Sequence, residues 1–262
     1  MLKIFQEGIA DFASGIGKKR VWMALAAEDI SDQHRRTALG PLWLLLNYLA
    51  FVGTFVLIMR PDAGIPNYLA FISVGLLIWF YMMEAVNAGV QLFVREEAFI
   101  KGTTLPLSVY VMRLTTQSLI RATYAGAGCV VLLLVSGVGI SAMWLWSVLA
   151  IVIIMVATPP VIVIFAFLGA YFPDSQFIVS NMMRIGMFLT PVFWAHTGSG
   201  GAREIVYYWN PFTYFLEIVR VPIVSGDVPV RSLLLCAAIT LGAWMVAMFL
   251  MGRYRREVVF VL

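Results

Sequence analysis

Residues 143–172 read Met-Trp-Leu-Trp-Ser-Val-Leu-Ala-Ile-Val-Ile-Ile-Met-Val-Ala-Thr-Pro-Pro-Val-Ile-Val-Ile-Phe-Ala-Phe-Leu-Gly-Ala-Tyr-Phe, with no Asp, Glu, Lys, Arg or His. A helix needs about 20 such residues to cross the hydrocarbon core of a bilayer. Pro159-Pro160 interrupts the run, and each half alone is too short to cross. The stretch therefore reads as one kinked span, since proline removes a backbone donor and crowds the preceding turn. Five more apolar runs flank it: Pro41–Met59, Tyr68–Val90, Leu114–Val138, Phe177–Trp194 and Leu233–Met251. The expected fold is all-α, a polytopic membrane protein with six transmembrane helices.

The composition agrees. Of 262 residues, 61% are hydrophobic and 12% charged, against roughly 45–50% and about 25% in soluble domains. A disordered chain, a disulfide scaffold and an ordinary cytosolic enzyme are excluded. The net charge of +4 is explained by basic residues flanking spans, not by nucleic acid. With the N-terminus inside, the inner side collects Lys3, Lys18, Lys19, Arg20, Arg35, Arg36, Arg95, Lys101, Arg113, Arg253, Arg255 and Arg256. The outer side holds Arg60, Arg203, Arg220 and Arg231, while Arg121 and Arg184 fall within spans. Both termini are then expected in the cytoplasm. Cys129 and Cys236 lie in apolar runs and read as free, buried thiols. The first long apolar run starts near Pro41 with no small-residue cleavage site, so no cleavable leader is expected. One transmembrane domain covers 1–262: a cytoplasmic amphipathic segment 1–38, a bundle 39–252 and a cytoplasmic tail 253–262.

Three segments do not span. In the first, Phe5, Ile9, Phe12 and Ile16 recur at helical spacing, and Lys18–Arg36 has basic ends around Glu28, Asp29 and Asp32. Helices lying on the inner membrane face and a solvated leader both fit this pattern. The second is the inner loop 95–106, a charged short helix closed by Gly102 and Pro106. The third is the outer stretch 195–230, Gly-rich and then aromatic through Tyr207, Tyr208, Trp209, Phe212, Tyr214 and Phe215. Two short helices are expected there, dipping into the outer leaflet or lying on it. Pro211 and Pro222 bracket the second, and Glu217 pairs with Arg220 at i,i+3.

No catalytic engine is visible. Gly15-Ile-Gly-Lys-Lys has neither the spacing nor the hydroxyl of a phosphate loop. His34 and His196 fall on opposite sides, no cysteine or histidine cluster has metal spacing, and no cofactor is implied. The polar intramembrane residues form two stripes: Glu84, Asn87 and Gln91 in the second span, and Arg113, Gln117 and Arg121 in the third. The depths of Glu84 and Arg121 allow a pair. Interhelical glue and the wall of a polar conduit both account for it, with Arg113 snorkelling to the inner surface. The outer aromatics likewise serve as an interfacial belt or as a surface for sugar or lipid.

Four motifs resemble one known family. Arg35-Arg36-Thr37-Ala38-Leu39-Gly40-Pro41-Leu42-Trp43, Thr190-Pro191-Val192-Phe193-Trp194, Trp209-Asn210-Pro211-Phe212 with Glu217 and Arg220, and Arg253-Tyr254-Arg255-Arg256-Glu257 occur in order. They are similar to type-2 ABC exporter permeases, in the subgroup that exports O-antigen, capsule and related polysaccharides. The resemblance implies a transport subunit, not an enzyme, in the bacterial inner membrane. It implies a homodimer bound by two copies of a separate ATP-binding subunit, surrounded by membrane lipid and exporting an undecaprenyl-diphosphate-linked polysaccharide. Carried onto this chain, Glu96, Glu97, Phe99 and Lys101 belong to a coupling helix seated on the ATPase. Residues 21–34 form an interface helix, and Lys19, Arg35 and Arg36 are cations for the carrier diphosphate at the entrance. Tyr208, Trp209, Phe212 and Tyr214 belong to outer re-entrant gate helices that touch glycan. The alternatives are a drug or small-lipid exporter of the same superfamily and a membrane enzyme acting on lipid-linked sugars.

Overall fold

The computed structural model describes residues 2–35, 37–58, 65, 67–196, 198 and 201–262. Among these residues the secondary structure is helical throughout, without strands. The elements are α1 (Leu2–Gly17), α2 (Lys19–His34), α3 (Leu42–Ile58), α4 (Tyr68–Arg95), α5 (Glu97–Gly102) and α6 (Leu107–Val135). They continue as α7 (Trp144–Tyr171), α8 (Ser175–Leu189), α9 (Ala202–Trp209), α10 (Pro211–Val224), α11 (Val230–Tyr254) and α12 (Val258–Val261).

Four helices, α4, α6, α7 and α11, are long and apolar enough to cross a membrane. The runs read as the first and fifth spans form shorter helices, α3 of 17 residues and α8 of 15. At 1.5 Å per residue α8 extends about 22 Å, less than a typical hydrocarbon core. Its run was expected to reach Trp194, but Thr190 turns extended and Pro191 follows, which ends the helix. The second and third runs form longer helices than the apolar residues alone delimit. The stretches 91–95 and 107–113, apolar residues mixed with Gln91, Arg95, Ser108 and Arg113, continue the helices beyond the runs.

Helix α4 is the axis of the bundle, packing on α7, α6, α10, α8 and α3. Its contact with α7 is made backbone to backbone. Gly169 meets the Val90 carbonyl so closely that a Cβ there would collide with it, and Gly89 faces Ile162 Cα. Small residues permit this approach where lipid offers no hydrophobic drive between helices. One core cluster gathers around Trp79, Ile72, Leu76, Leu216 and Ile218. The second gathers Phe93, Tyr110, Leu114, Ile162 and Met251 with Phe12 of α1.

Helix α7 runs continuously through Pro159 and Pro160. Pro160 has no N–H to give the Val156 carbonyl four residues back. The Trp244 indole of α11 donates to that oxygen at 3.0 Å instead. Thr158 Oγ1 donates to Ile154 O at 2.8 Å and also meets Tyr81 OH at 2.7 Å, tying α7 to α4. Trp244→Phe keeps the ring and loses the donor. It is expected to cost about 1 kcal/mol, read as a lower midpoint of thermal unfolding in detergent; an unchanged midpoint would show that water serves the carbonyl equally well.

Both termini lie at one end of the bundle. Gly8 of α1 abuts the Met248 backbone, and Gly252 of α11 abuts that of Ile4. Asp11, buried, accepts from Ser108 N at 3.1 Å, while its backbone carbonyl accepts from Ser108 Oγ at 2.8 Å. The packed face of α1 is thus Gly8, Asp11, Phe12 and Gly15. Of the expected apolar face only Phe12 is buried, and Ile9 and Ile16 join Leu2 on an exposed stripe. Close backbone approach selects the small residues and turns the large ones outward.

Candidate functional site

The polar stripe of α6 meets a complementary stripe on α2. On α6, Arg113, Gln117 and Arg121 are spaced i, i+4, i+8; on α2, Asp29 and Gln33 are spaced i, i+4. Spacings of this kind put each set on one helical face. Arg113 donates from Nε and Nη2 to the two carboxylate oxygens of Asp29, at 2.6 and 2.7 Å. Gln117 also donates to Asp29. One turn further on, Arg121 Nη2 donates to Gln33 Oε1 at 2.9 Å.

A third helix joins each arginine. Arg113 Nη1 reaches Glu96 Oε2 at 2.9 Å, and Glu96 immediately precedes α5 without capping it by its side chain. Arg121 Nη1 reaches Glu84 Oε1 of α4 at 2.5 Å, with Ser118 Oγ at 3.3 Å. The forked guanidinium is suited to this work because it serves two acceptors in fixed geometry. Arg113 therefore joins α2, α5 and α6, and Arg121 joins α2, α4 and α6. Beside the second joint, a cavity of about 250 Å³ opens between α3, α4 and α6, lined by Asn47, Tyr48, Phe51 and Phe80.

The α5 residues divide. Glu97 and Lys101 pair with each other at 2.8 Å on the outside, and Phe99 is 42% exposed with its edge on Tyr110. Glu96 faces inward and is spent on Arg113, so it is not part of the surface formed by the other three. The cations assigned to one entrance site are not together. Lys19 opens α2 and Arg35 ends it, about 24 Å apart along a continuous helix. Arg35 approaches only Asp32, at 3.9 Å, and Arg36 lies outside the described residues.

The aromatics of α9 and α10 form two layers. Tyr214 is buried and donates to Tyr208 O at 2.6 Å, and Phe212 packs edge-on against Trp79. Trp209 is 82% exposed, and Tyr208 is exposed beneath the Arg231 guanidinium at 5.2 Å. His196 stacks on Tyr207 at 4.3 Å. The four assigned gate residues are therefore not one surface: two face out and two build the core under them. Asn210 caps α10 by accepting from Phe212 N at 3.0 Å. Pro211 opens that helix, but Pro222 lies inside it.

Glu217 and Arg220 do not pair. Glu217 accepts from Tyr207 OH and from Ser232 Oγ, linking α9, α10 and α11. Arg220 is buried, donates to Pro191 O at 2.6 Å and sits 3.8 Å over the Phe71 ring. A cation over an aromatic face gains most where water is excluded. Asn87 accepts from Ser180 Oγ at 3.1 Å, which ties α4 to α8. Among the described residues no group of three or more His, Cys, Asp or Glu could hold a metal ion.

Reading the sequence missed Arg113 as a joint, and with it Asp29 and Glu96. The matching i, i+4 spacing of Asp29 and Gln33 against Arg113, Gln117 and Arg121 was the available signal.

No family model matches the chain. It is 28% identical over 178 residues to an O-antigen export system permease protein RfbA of Klebsiella pneumoniae, covering 66% of this chain and 68% of that one. A second Klebsiella pneumoniae protein of the same name is 26% identical over the same length. One from Myxococcus xanthus is 26% identical over 199 residues, 72% of this chain and 74% of its own. Over some two thirds of its length the chain is thus similar to proteins named as O-antigen export permeases.

Proposed function

We propose that this protein is the transmembrane permease subunit of an ATP-driven exporter that moves a lipid-linked polysaccharide across the bacterial inner membrane. The match to permeases named for O-antigen export, over two thirds of the chain, carries this reading. The working unit is a homodimer with two copies of a separate ATP-hydrolysing subunit. Six spans cross the bilayer, α3 and α8 completing the four long helices, with residues 1–38 and 253–262 in the cytoplasm. The apolar face of α8, with Phe177, Ile178, Met182, Ile185 and Phe188 exposed, suits contact with lipid or a second copy. Tyr208 and Trp209 provide the glycan-facing surface of an outer gate, over Phe212 and Tyr214.

The geometry supports a route for force. An ATPase pushing on α5 through Glu97, Phe99 and Lys101 moves Glu96 with the helix. Glu96 holds Arg113, and Arg113 holds Asp29 of α2. A displacement of α5 is thus shared with α6 and α2 without any flexible loop between them. Glu84 and Arg121 carry the same connection into α4.

Exchanging Glu97 and Phe99 together for Ala is expected to abolish surface polysaccharide in cells while leaving the amount of membrane-inserted protein unchanged. Both side chains are exposed, so the fold tolerates their loss. Normal surface polysaccharide at normal protein level would refute the coupling role.

A further inference from the structure

Beside α5 lies a cavity of about 580 Å³ whose walls include Asp11, Thr103, Thr104, Arg256 and Phe260. It is assembled from four parts of the chain: α1, the turn after α5, the start of α6 and the C-terminal tail. Its charges are unequal. Arg255 is drawn to Glu7 at 3.4 Å and to Asp11 at 3.8 Å. Arg256 is exposed and makes no ion pair among the described residues.

The rim is apolar where water would be expected. The tail is held in place by Val258, fully buried in the terminus-end core, yet Phe260 two residues on is 89% exposed. Helix α12 packs against α5, and Phe260 lines the cavity together with Ile100 of α5, the residue after the exposed Phe99. An exposed aromatic ring and an arginine outside any ion pair among the described residues, on the wall of one cavity, have the composition of an interface: an apolar anchor with a charge beside it.

We infer that the C-terminal tail and this cavity form a second seat for the ATP-hydrolysing subunit, receiving an acidic ridge with apolar flanks. The ridge's carboxylate meets Arg256 and the hydroxyl of Thr104, and its apolar flank covers Phe260. Continuity with α5 and the unpaired positive charge select this partner. The inference rests on the reading of α5 as the coupling helix, and it extends the contact from one short helix to a bipartite surface. A seat formed jointly by α1, α6 and α12 gives the ATPase a purchase on both ends of the chain.

The test uses benzophenone-maleimide attached to Phe99→Cys or Phe260→Cys in membranes that hold the permease together with its ATP-binding subunit. The native Cys129 and Cys236 are buried and shielded from the label. Adducts are identified by photolabelling the captured polypeptide with 8-azido-ATP. Both positions are expected to capture the nucleotide-labelled chain, and Arg256→Glu should lower the yield at position 260 about tenfold while sparing position 99. Capture at 99 without capture at 260, adducts of 260 with phospholipid alone, or a yield indifferent to Arg256→Glu would overturn the second seat and leave the coupling helix standing. Capture at neither position would overturn both.

Discussion

Arg113→Leu is expected to lower the stability of the bundle by about 3 kcal/mol, more than any other single change in the polar seam. The arginine side chain is 15% exposed, and its two carboxylate partners are 25% and 12% exposed. Removing it leaves Asp29 and Glu96 facing each other in a poorly hydrated corner, with the half-exposed Arg95, 3.3 Å from Glu96, as a weak substitute. The loss then combines three charge-assisted bonds with repulsion between the two carboxylates. Arg113→Lys should recover little, because one ammonium cannot bridge the two oxygens of Asp29 and reach Glu96 as well. Thermal unfolding of the purified protein gives the stability change, and limited proteolysis between α2 and α3 reports whether α2 has detached. A leucine variant within about 0.5 kcal/mol of the wild type, with α2 still protected, would show that apolar packing alone holds this corner.

Glu84→Gln and Arg121→Leu are each expected to cost about 2–3 kcal/mol, somewhat below the value for a fully buried pair because Glu84 is 31% exposed. The double variant should cost less than the sum by at least about 1.5 kcal/mol, since the second change removes a charge already left unpaired by the first. The same cycle scored on export separates two contributions. If transport falls with stability, the pair acts as a strut between α4 and α6. If the double variant recovers stability but not transport, the charges themselves are needed beside the cavity that opens there. Additive losses in both measurements would refute the pairing.

The axis of the fold was legible because a bilayer imposes its own length. Runs such as 143–172 have no other use in a chain of this size, and the helices found there follow the sequence closely. The polar stripe of α6 was equally plain from its spacing of four. Its partners were not, because the contact between Asp29 and Arg113 spans 84 positions and α2 carries no strong apolar face to orient it. Periodicity tells which side of a helix is polar, not which helix will meet it. Glu217 and Arg220 show the opposite error. Spacing made them neighbours on one helix, yet tertiary partners on α4, α9 and α11 and in the Pro191 turn outbid a weak local pair. Arg220 is worth more over Phe71 and under the Pro191 carbonyl than beside a half-solvated carboxylate. Lys19 and Arg35 are spread rather than gathered for a simpler reason, since a helix of 16 residues separates what the linear sequence places in one basic segment.

The embrace of the first helix by the last has a consequence for how the protein is made. Gly8 meets its neighbour at Met248, and Ile4 meets Gly252, so this contact of α1 cannot form until α11 has been made. At about 5–20 residues per second, that interval lasts on the order of 12–50 s. Until α11 arrives the protein surface open to α1 is that of α6, through Asp11 and Ser108, and its stripe of Leu2, Ile9 and Ile16 suits it to rest on the lipid headgroups meanwhile. The corner that joins α1 to α11, and with it the footing of α12, closes only after α11 emerges, and loss of the second half of α11 leaves the protein permanently unlatched.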